Sequence, residues 1–200
     1  MSEPAIPRGP ALGVLELSSI ARGVVAIDAA LKRSPALLVT SRAVSAGKHL
    51  ACFEGGVAEV QEAMAAGRAA AGKLLLDDVE LALADLQVWP MLAGLIAPAD
   101  WTDDAGAEAV AIVETSTVCA AIRAADAACK VADVVVRDVR LALDLAGKAY
   151  FTMTGTLDSV AAAAEAATAA AASGPAGPAG LVLLEVIAQP SPDLRGRLFR

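Results

Sequence analysis

The chain has 200 residues, of which 56% are hydrophobic and only 3% aromatic, and its formal net charge is -7. Domains commonly hold about 100 to 150 residues, so this length allows one large core or two small ones. An acidic chain with no basic stripe interleaved with aromatics is not expected to bind nucleic acid, because phosphate neutralisation requires clustered Lys and Arg.

The first ten residues, MSEPAIPRGP, are polar and rich in proline, and we expect them to form a flexible leader over 1–10. They lack the charged segment and apolar run of a signal peptide. The most apolar stretches, 160–172 and 181–188, are too short to cross a bilayer as helices. Three cysteines without metal-type spacing favour a reducing compartment. We therefore expect a soluble cytoplasmic protein without a membrane partner.

The chain repeats itself. The segment that begins at Ala11 aligns with the one that begins at Ala109, an offset of 98 residues that later becomes 100. The repeat includes these pairs: Glu16 with Glu114, Asp28 with Asp126, Lys32 with Lys130, Gly47-Lys48 with Gly147-Lys148, and Pro90 with Pro190. Duplication of one unit of about 80 residues explains such a pattern. It predicts domains at 11–90 and 109–190, a linker at 91–108, a tail at 191–200 and an internal pseudo-twofold relationship.

Each copy predicts the same order of elements. An apolar strand (12–17; 110–115) precedes a helix with a Ser or Thr N-cap (19–33; 117–131). In copy one a strand at 36–41, a glycine loop, a strand at 48–54, an alanine-rich helix after Gly55-Gly56 and a last strand near 79–88 follow. This βαββαβ order predicts an α+β, ferredoxin-like domain with helices on one sheet face. The other face needs cover, in part from partner subunits.

Several short motifs now carry a family resemblance. The strands ALGVLE and AVAIVET, the helix endings DAALK and DAACK, the loops at Gly47 and Gly147, and the closing VWP and IAQP resemble those of bacterial microcompartment shell domains, in unpermuted order. The resemblance covers 11–190. Single-copy members form hexamers that tile into sheets. A fused pair therefore implies a homotrimer that forms a pseudohexameric tile with a central pore, which assembles with other hexameric and pentameric shell proteins in the compartment shell.

The resemblance also implies which residues line the pore. The family's pore loop corresponds to Ser45, Ala46 and Gly47 and, less closely, to Leu145, Ala146 and Gly147. Small residues keep a passage open, and glycine allows backbone conformations that a tight loop needs. Lys48 and Lys148 follow the two loops, so a trimer would carry six ammonium groups that favour small polar or anionic metabolites. Asp144 offsets part of this charge.

A second set of residues corresponds to the tile edge. Lys32 and Lys130 match the lysine that family members use where neighbouring tiles meet, so both are assigned to lateral assembly. The family's arginine before the terminal proline is replaced by Trp89 and Gln189, which alters the edge contact. Trp89 is alternatively a buried aromatic anchor.

Metal and cofactor sites are not expected. His49 is the only histidine, and we interpret it as a strand residue rather than as one of a threefold metal-binding trio at the axis. Related tandem shell proteins sometimes hold an iron-sulfur cluster at the pore. Cys52, Cys119 and Cys129 lie outside both pore loops, so we interpret them as packing residues.

Catalysis is not expected either. Glu16 and Glu114 occupy matching positions and are interpreted as structural, hydrogen-bonded carboxylates. No nucleophile elbow, phosphate-binding glycine loop or zinc motif is present. The leading hypothesis is thus a structural shell component. The alternatives are a trimeric tandem ferredoxin-like regulatory or ligand-binding module with effector clefts between its repeats, and an electron-transfer tile with metal at its axis.

Overall fold

The computed structural model describes residues 9–92, 107–142 and 145–195. The first half contains β1 (Ala11–Leu17), α1 (Ile20–Arg33), β2 (Leu37–Val44), β3 (Lys48–Gly55), α2 (Val57–Ala71), β4 (Leu75–Leu81) and a short helix α3 (Val88–Leu92). The second half contains β5 (Ala109–Thr115), α4 (Val118–Val131), β6 (Val135–Leu141), β7 (Ala149–Gly155), α5 (Leu157–Ala171), β8 (Leu181–Ala188) and a short helix α6 (Pro192–Arg195). The predicted α+β class and βαββαβ order are confirmed in both copies. None of the described helices is long and apolar enough to span a membrane.

Two antiparallel sheets form the scaffold, with strand orders β2-β3-β1-β4 and β6-β7-β5-β8. Side chains alternate across each sheet. Leu15 and Leu17 of β1 pack into one core with α1 and α2, whereas Leu12 and Val14 belong to a second core that includes residues of the other domain. We call the sheet face that bears Leu12 and Val14, and the equivalent face of the second sheet, the outer face.

The long helices begin where the sequence predicts. The hydroxyl of Ser19 accepts a hydrogen bond from the amide of Arg22, and the hydroxyl of Thr117 accepts one from the amide of Ala120. These N-caps satisfy amide groups that lack an intrahelical partner. Both predicted caps are therefore confirmed.

The last strand of copy one was predicted wrongly. β4 ends at Leu81, and Val88–Leu92 is a helix rather than part of a strand. β4 and β8 are related by an offset of 106 residues, because Leu75 pairs with Leu17 as Leu181 pairs with Thr115. The cause is the loop SGPAGPAG before β8, which is longer than the turn Gly72–Leu74. Pro90 and Pro190 are therefore not structurally equivalent.

The two domains meet through unlike surfaces. α4 of the second domain covers the outer face of the first sheet, and most of its residues are fully buried. The equivalent helix α1 leaves Val24 and Val25 exposed by 55% and 50%. A pseudo-twofold contact would bury both helices alike, so that prediction is wrong. The contact is heterologous, and domain two supplies the cover that the first sheet needs.

Where each sheet packs on its second long helix, the two copies differ in the size of both contacting residues, and the two differences compensate. A Cβ on Gly13 would lie 2.6 Å from Cγ of Met64 and 2.9 Å from Cγ1 of Val60. At the equivalent positions the second domain has Ala111 and Ala164, both buried. A larger strand residue thus accompanies a smaller helix residue.

We expect Gly13→Ala to destabilise the protein by about 1–3 kcal/mol, because the added methyl overpacks the contact with Met64. Met64→Ala should cost about 2–5 kcal/mol by opening a cavity. The double variant copies the Ala111–Ala164 pair and should cost clearly less than the sum of the singles. Urea unfolding at one protein concentration measures this coupling, and strictly additive losses would contradict it.

Candidate functional site

The glycine loops of the two domains lie against each other. The amide of Ser45 donates a hydrogen bond to the carbonyl of Ala142 at 2.9 Å. A Cβ on Gly147 would lie 3.0 Å from Cε of Lys48 and 3.1 Å from Cβ of Ala46. The structure therefore brings the predicted pore residues of both copies together at one end of the domain contact. Leu143 and Asp144 lie outside the described residues.

Both loops use the same strained backbone. Ala46 and Gly47 have φ values of 64° and 70°, and Ala146 and Gly147 have values of 50° and 84°. The left-handed region is open to glycine but disfavours any residue with a Cβ, which explains Gly47 and Gly147, whereas Ala46 and Ala146 adopt it at a cost. The longer second loop thus retains the turn of the first.

The side chain of Lys48 links the second glycine loop to a buried carboxylate of the first domain. Its ammonium donates to Oε1 of Glu16 at 2.7 Å, to the carbonyl of Gly147 at 2.8 Å and to the carbonyl of Ser116 at 3.2 Å. The Glu16 side chain is fully buried and that of Lys48 is mostly buried. Lys48 therefore has a different role from the expected one, because its charge is matched by Glu16 and it fastens the second loop to the first domain. Lys148, by contrast, is exposed.

The second oxygen of Glu16 binds the start of α4. Oε2 accepts hydrogen bonds from the amides of Val118 at 2.6 Å and Cys119 at 3.3 Å. Burial raises the pKa of Glu16, whereas Lys48 and the two amides oppose that rise. A helix N-terminus favours a carboxylate through its unpaired amides and its dipole. The predicted hydrogen-bonding role of Glu16 is confirmed, and Glu114 lies half-buried at the equivalent place on β5.

A second ion pair crosses the same contact and was not predicted. Nη2 of Arg123 on α4 lies 2.9 Å from Oδ1 of Asp77 on β4 and also donates to the carbonyl of Asp78. Oδ2 of Asp77 accepts from the hydroxyl of Thr117 at 2.6 Å. One feature of the sequence could have indicated this ion pair, because Arg123 is charged whereas the equivalent residue of the first copy, Val25, is apolar.

The predicted edge residues separate into two groups. Lys32 and Lys130 form matching pairs with Asp28 and Asp126 at 2.6 Å, and their side chains are 75% and 42% exposed. Trp89 lies in α3 and packs against the core beneath α4, whereas Gln189 is exposed after β8. Since the shift in offset separates Trp89 from Gln189, they are not equivalent positions, and that part of the prediction is wrong.

The single histidine faces the interior of its own domain. His49 is 3% exposed, and a Cβ on Gly23 of α1 would lie 2.5 Å from its ring. Nε2 lies 3.1 Å from the hydroxyl of Ser41, and Nδ1 is buried without a partner in the described structure. Burial lowers the pKa of His49. The second domain has Ala121 and Ala149 here, so the Gly–His pair belongs to copy one alone.

The cysteines lie away from the loops that meet. Cys52 and Cys119 are fully buried in the shared core, and burial raises the pKa of Cys52 and Cys129 to about 12. Thiolate, the form that binds metal and attacks electrophiles, is suppressed at such values. In the described ranges no three His, Cys, Asp or Glu side chains are grouped to hold a metal ion.

Replacing Lys48 by Met should destabilise the protein by about 3–5 kcal/mol, because Glu16 is left as a buried charge without its counter-ion. The loss should grow as the pH rises through the raised pKa of Glu16. Glu16→Gln combined with Lys48→Met should recover most of it. Urea unfolding between pH 4.5 and 8 tests this, with Lys73→Met as the exposed control. Equal stability of both Met variants would contradict it.

The unfolding free energy should also contain a contribution from His49. Since its pKa in the folded protein lies below the ordinary value of 6.5, the unfolded chain takes up a proton first as the pH falls. Stability is therefore expected to decrease below about pH 6.5. The variant Gly23→Ala/His49→Ala copies the second domain and should lose this component. An unchanged pH profile of the variant relative to the natural chain would show that His49 does not supply it.

Comparison with known proteins agrees with this architecture. The model of the BMC domain family matches residues 11–82 and 109–190. A bacterial microcompartment shell protein, PduT of Citrobacter freundii, is 39% identical over 150 residues, which cover 75% of this chain and 78% of that protein.

Solved structures give the same result. A microcompartment protein from Desulfitobacterium hafniense is 31% identical and superposes with a TM-score of 0.73 over 92% of this chain and 97% of that one. The fused permuted hexameric shell protein of the RMM microcompartment has a TM-score of 0.56 and 20% identity over 80% of this chain and 82% of that one, which is a likeness of fold. The chain therefore belongs to the bacterial microcompartment shell protein family, as a member with two BMC domains.

Proposed function

We propose that the chain is a structural component of a bacterial microcompartment shell in the cytoplasm, where three copies form a pseudohexameric tile around a pore. The observation that carries this proposal is the heterologous contact between its two BMC domains. Family membership and the likeness to a microcompartment shell protein support the shell role.

The contact supports ring closure by its geometry. It uses α4 of the second domain and the outer face of the first, and so leaves α1 and the second outer face available. A heterologous contact that repeats generates a ring when its rotation closes. Six domains from three chains then complete one ring, in which each outer face is covered by a helix of the next domain.

The pore lies where the glycine loops converge. Its lining would consist of the six predicted residues: Ser45, Ala46, Gly47, Leu145, Ala146 and Gly147. Because Glu16 matches the charge of Lys48, the exposed Lys148 supplies the positive charge near the axis. Three such ammonium groups per trimer would favour small polar or anionic metabolites, with an effect that salt screens.

The alternative of a ligand-binding module has less support. The space between the repeats is filled by buried side chains of α4, such as Ile122 and Cys119. A pocket between α2 and β4, which Val60 and Leu81 help to line, has a volume of about 110 Å³. Small-molecule sites usually hold about 300–1,000 Å³. We therefore propose a structural role without catalysis, in which neighbouring hexameric and pentameric shell proteins are the partners.

Light scattering of the purified natural chain should give the mass of a trimer, and electron microscopy after mixing with a hexameric shell protein should reveal sheets or closed shells. Lys32→Ala/Lys130→Ala should retain the trimer and lose co-assembly, because both ammonium groups are assigned to the tile edge. Lys73→Ala is the exposed control and should behave as the natural chain. A monomer, or a trimer that joins no shell partner, would contradict the proposal.

A further inference from the structure

α1 and the outer face of the second sheet, which remain exposed, differ in charge from their buried equivalents, α4 and the outer face of the first sheet, at one pair of positions. Arg123 and Asp77 form the ion pair of that contact. The repeat places Val25 at the position of Arg123, and the strand register places Leu183 at the position of Asp77. Val25 and Leu183 are each 50% exposed. Both members of one charged pair are thus replaced by apolar residues.

The surroundings of Val25 extend the apolar surface. Ile20 and Val24 of α1 are exposed by 46% and 55%, whereas their equivalents on α4, Val118 and Ile122, are fully buried against the first sheet and its neighbours. Exposed apolar side chains that adjoin one another mark interaction surfaces. α1 therefore carries the same kind of docking stripe as α4, with Val25 in place of the arginine.

The surroundings of Leu183 provide a matching face. Ile112 and Ile187 lie on the outer face of the second sheet, at the positions of Val14 and Leu81, and are only partly buried. Glu114 on the same face is half-buried and occupies the position of Glu16, which binds the N-terminus of α4. The second outer face thus repeats the features that receive a helix in the first domain.

We propose that α1 of one copy docks on the outer face of the second sheet of another copy, with Val25 packed against Leu183. This inference rests on the proposed trimer and names its intermolecular interface. The ring then alternates between two chemistries, an ion-paired contact within each chain and an apolar contact between chains.

The difference between an ion-paired and an apolar contact disfavours the two alternative pairings of helix and outer face. If α4 met the second outer face, the guanidinium of Arg123 would be buried on Leu183 without a counter-ion. If α1 met the first outer face, Val25 would leave the carboxylate of Asp77 buried and unpaired. Removing one partner of a buried ion pair is strongly unfavourable. Specificity commonly depends on such repulsive elements, and here they enforce strict alternation of the two domains.

The test transplants the ion pair. Val25→Arg and Leu183→Asp should each weaken trimer formation by about a hundredfold or more, because each buries one unpaired charge. The double variant Val25→Arg/Leu183→Asp should recover trimers. Mass photometry across a dilution series measures the populations, and circular dichroism checks that the dissociated chains are folded.

Val186 provides the matched control. It lies on β8 three residues after Leu183, is 38% exposed and pairs with Ala111, so its side chain lies on the helix-covered side of the sheet rather than on the outer face. Val186→Asp should leave the trimer intact, and Val25→Arg/Val186→Asp should remain dissociated. If either charged variant does not fold, short bismaleimide cross-linking of Val25→Cys/Leu183→Cys in a Cys129→Ala background replaces it, with linked dimers and trimers expected.

The outcomes separate the two proposals. If the natural chain is trimeric but the single variants stay trimeric, the double variant stays dissociated, or the cysteines do not cross-link, the Val25–Leu183 interface is overturned and the shell tile stands. A monomeric natural chain overturns the tile itself.

Discussion

The outer face of the first sheet is the constraint on which the architecture depends. Two helices can cover only one side of a four-stranded sheet, and the other side presents Leu12, Val14 and the carboxylate of Glu16. The second domain covers the apolar residues with α4 and also supplies backbone amides to the carboxylate. The hydrophobic and polar requirements are met by the same helix, so the first domain is incomplete without a neighbour.

The same requirement recurs on the second sheet, because both halves have the same fold. In a single-copy ring one surface must serve every contact. In the proposed trimer of a fused chain, contacts within a chain and contacts between chains would use different surfaces, so each half could differ at residues that only one of them uses. Arg123 and Asp77 mark the contact inside the chain, whereas Val25 and Leu183 occupy the equivalent places on the surfaces left open.

Much of the fold could be predicted because it depends on local patterns. Ser19 and Thr117 signalled the helix starts, and the repeat predicted two similar α+β domains. The end of β4 was missed because a longer loop before β8 raises the offset between the copies from 100 to 106, and the alignment kept the offset of 100 to the end. The partner of Lys48 was also missed, since a buried ion pair depends on which chain segments meet in space rather than on sequence spacing.

Comparison of the two halves separates residues that the fold requires from residues that a contact requires. Gly47 and Gly147 have positive φ in both loops, and the Asp28–Lys32 pair on α1 recurs on α4, so these features serve every domain. Other equivalent positions differ in size between the copies: Gly23 packs on His49 beneath α1, whereas the second domain has alanine at both positions. α1 therefore differs from α4 on two sides, at Gly23 towards its own sheet and at Val25 on its exposed side, where the proposed contact with a second copy would lie.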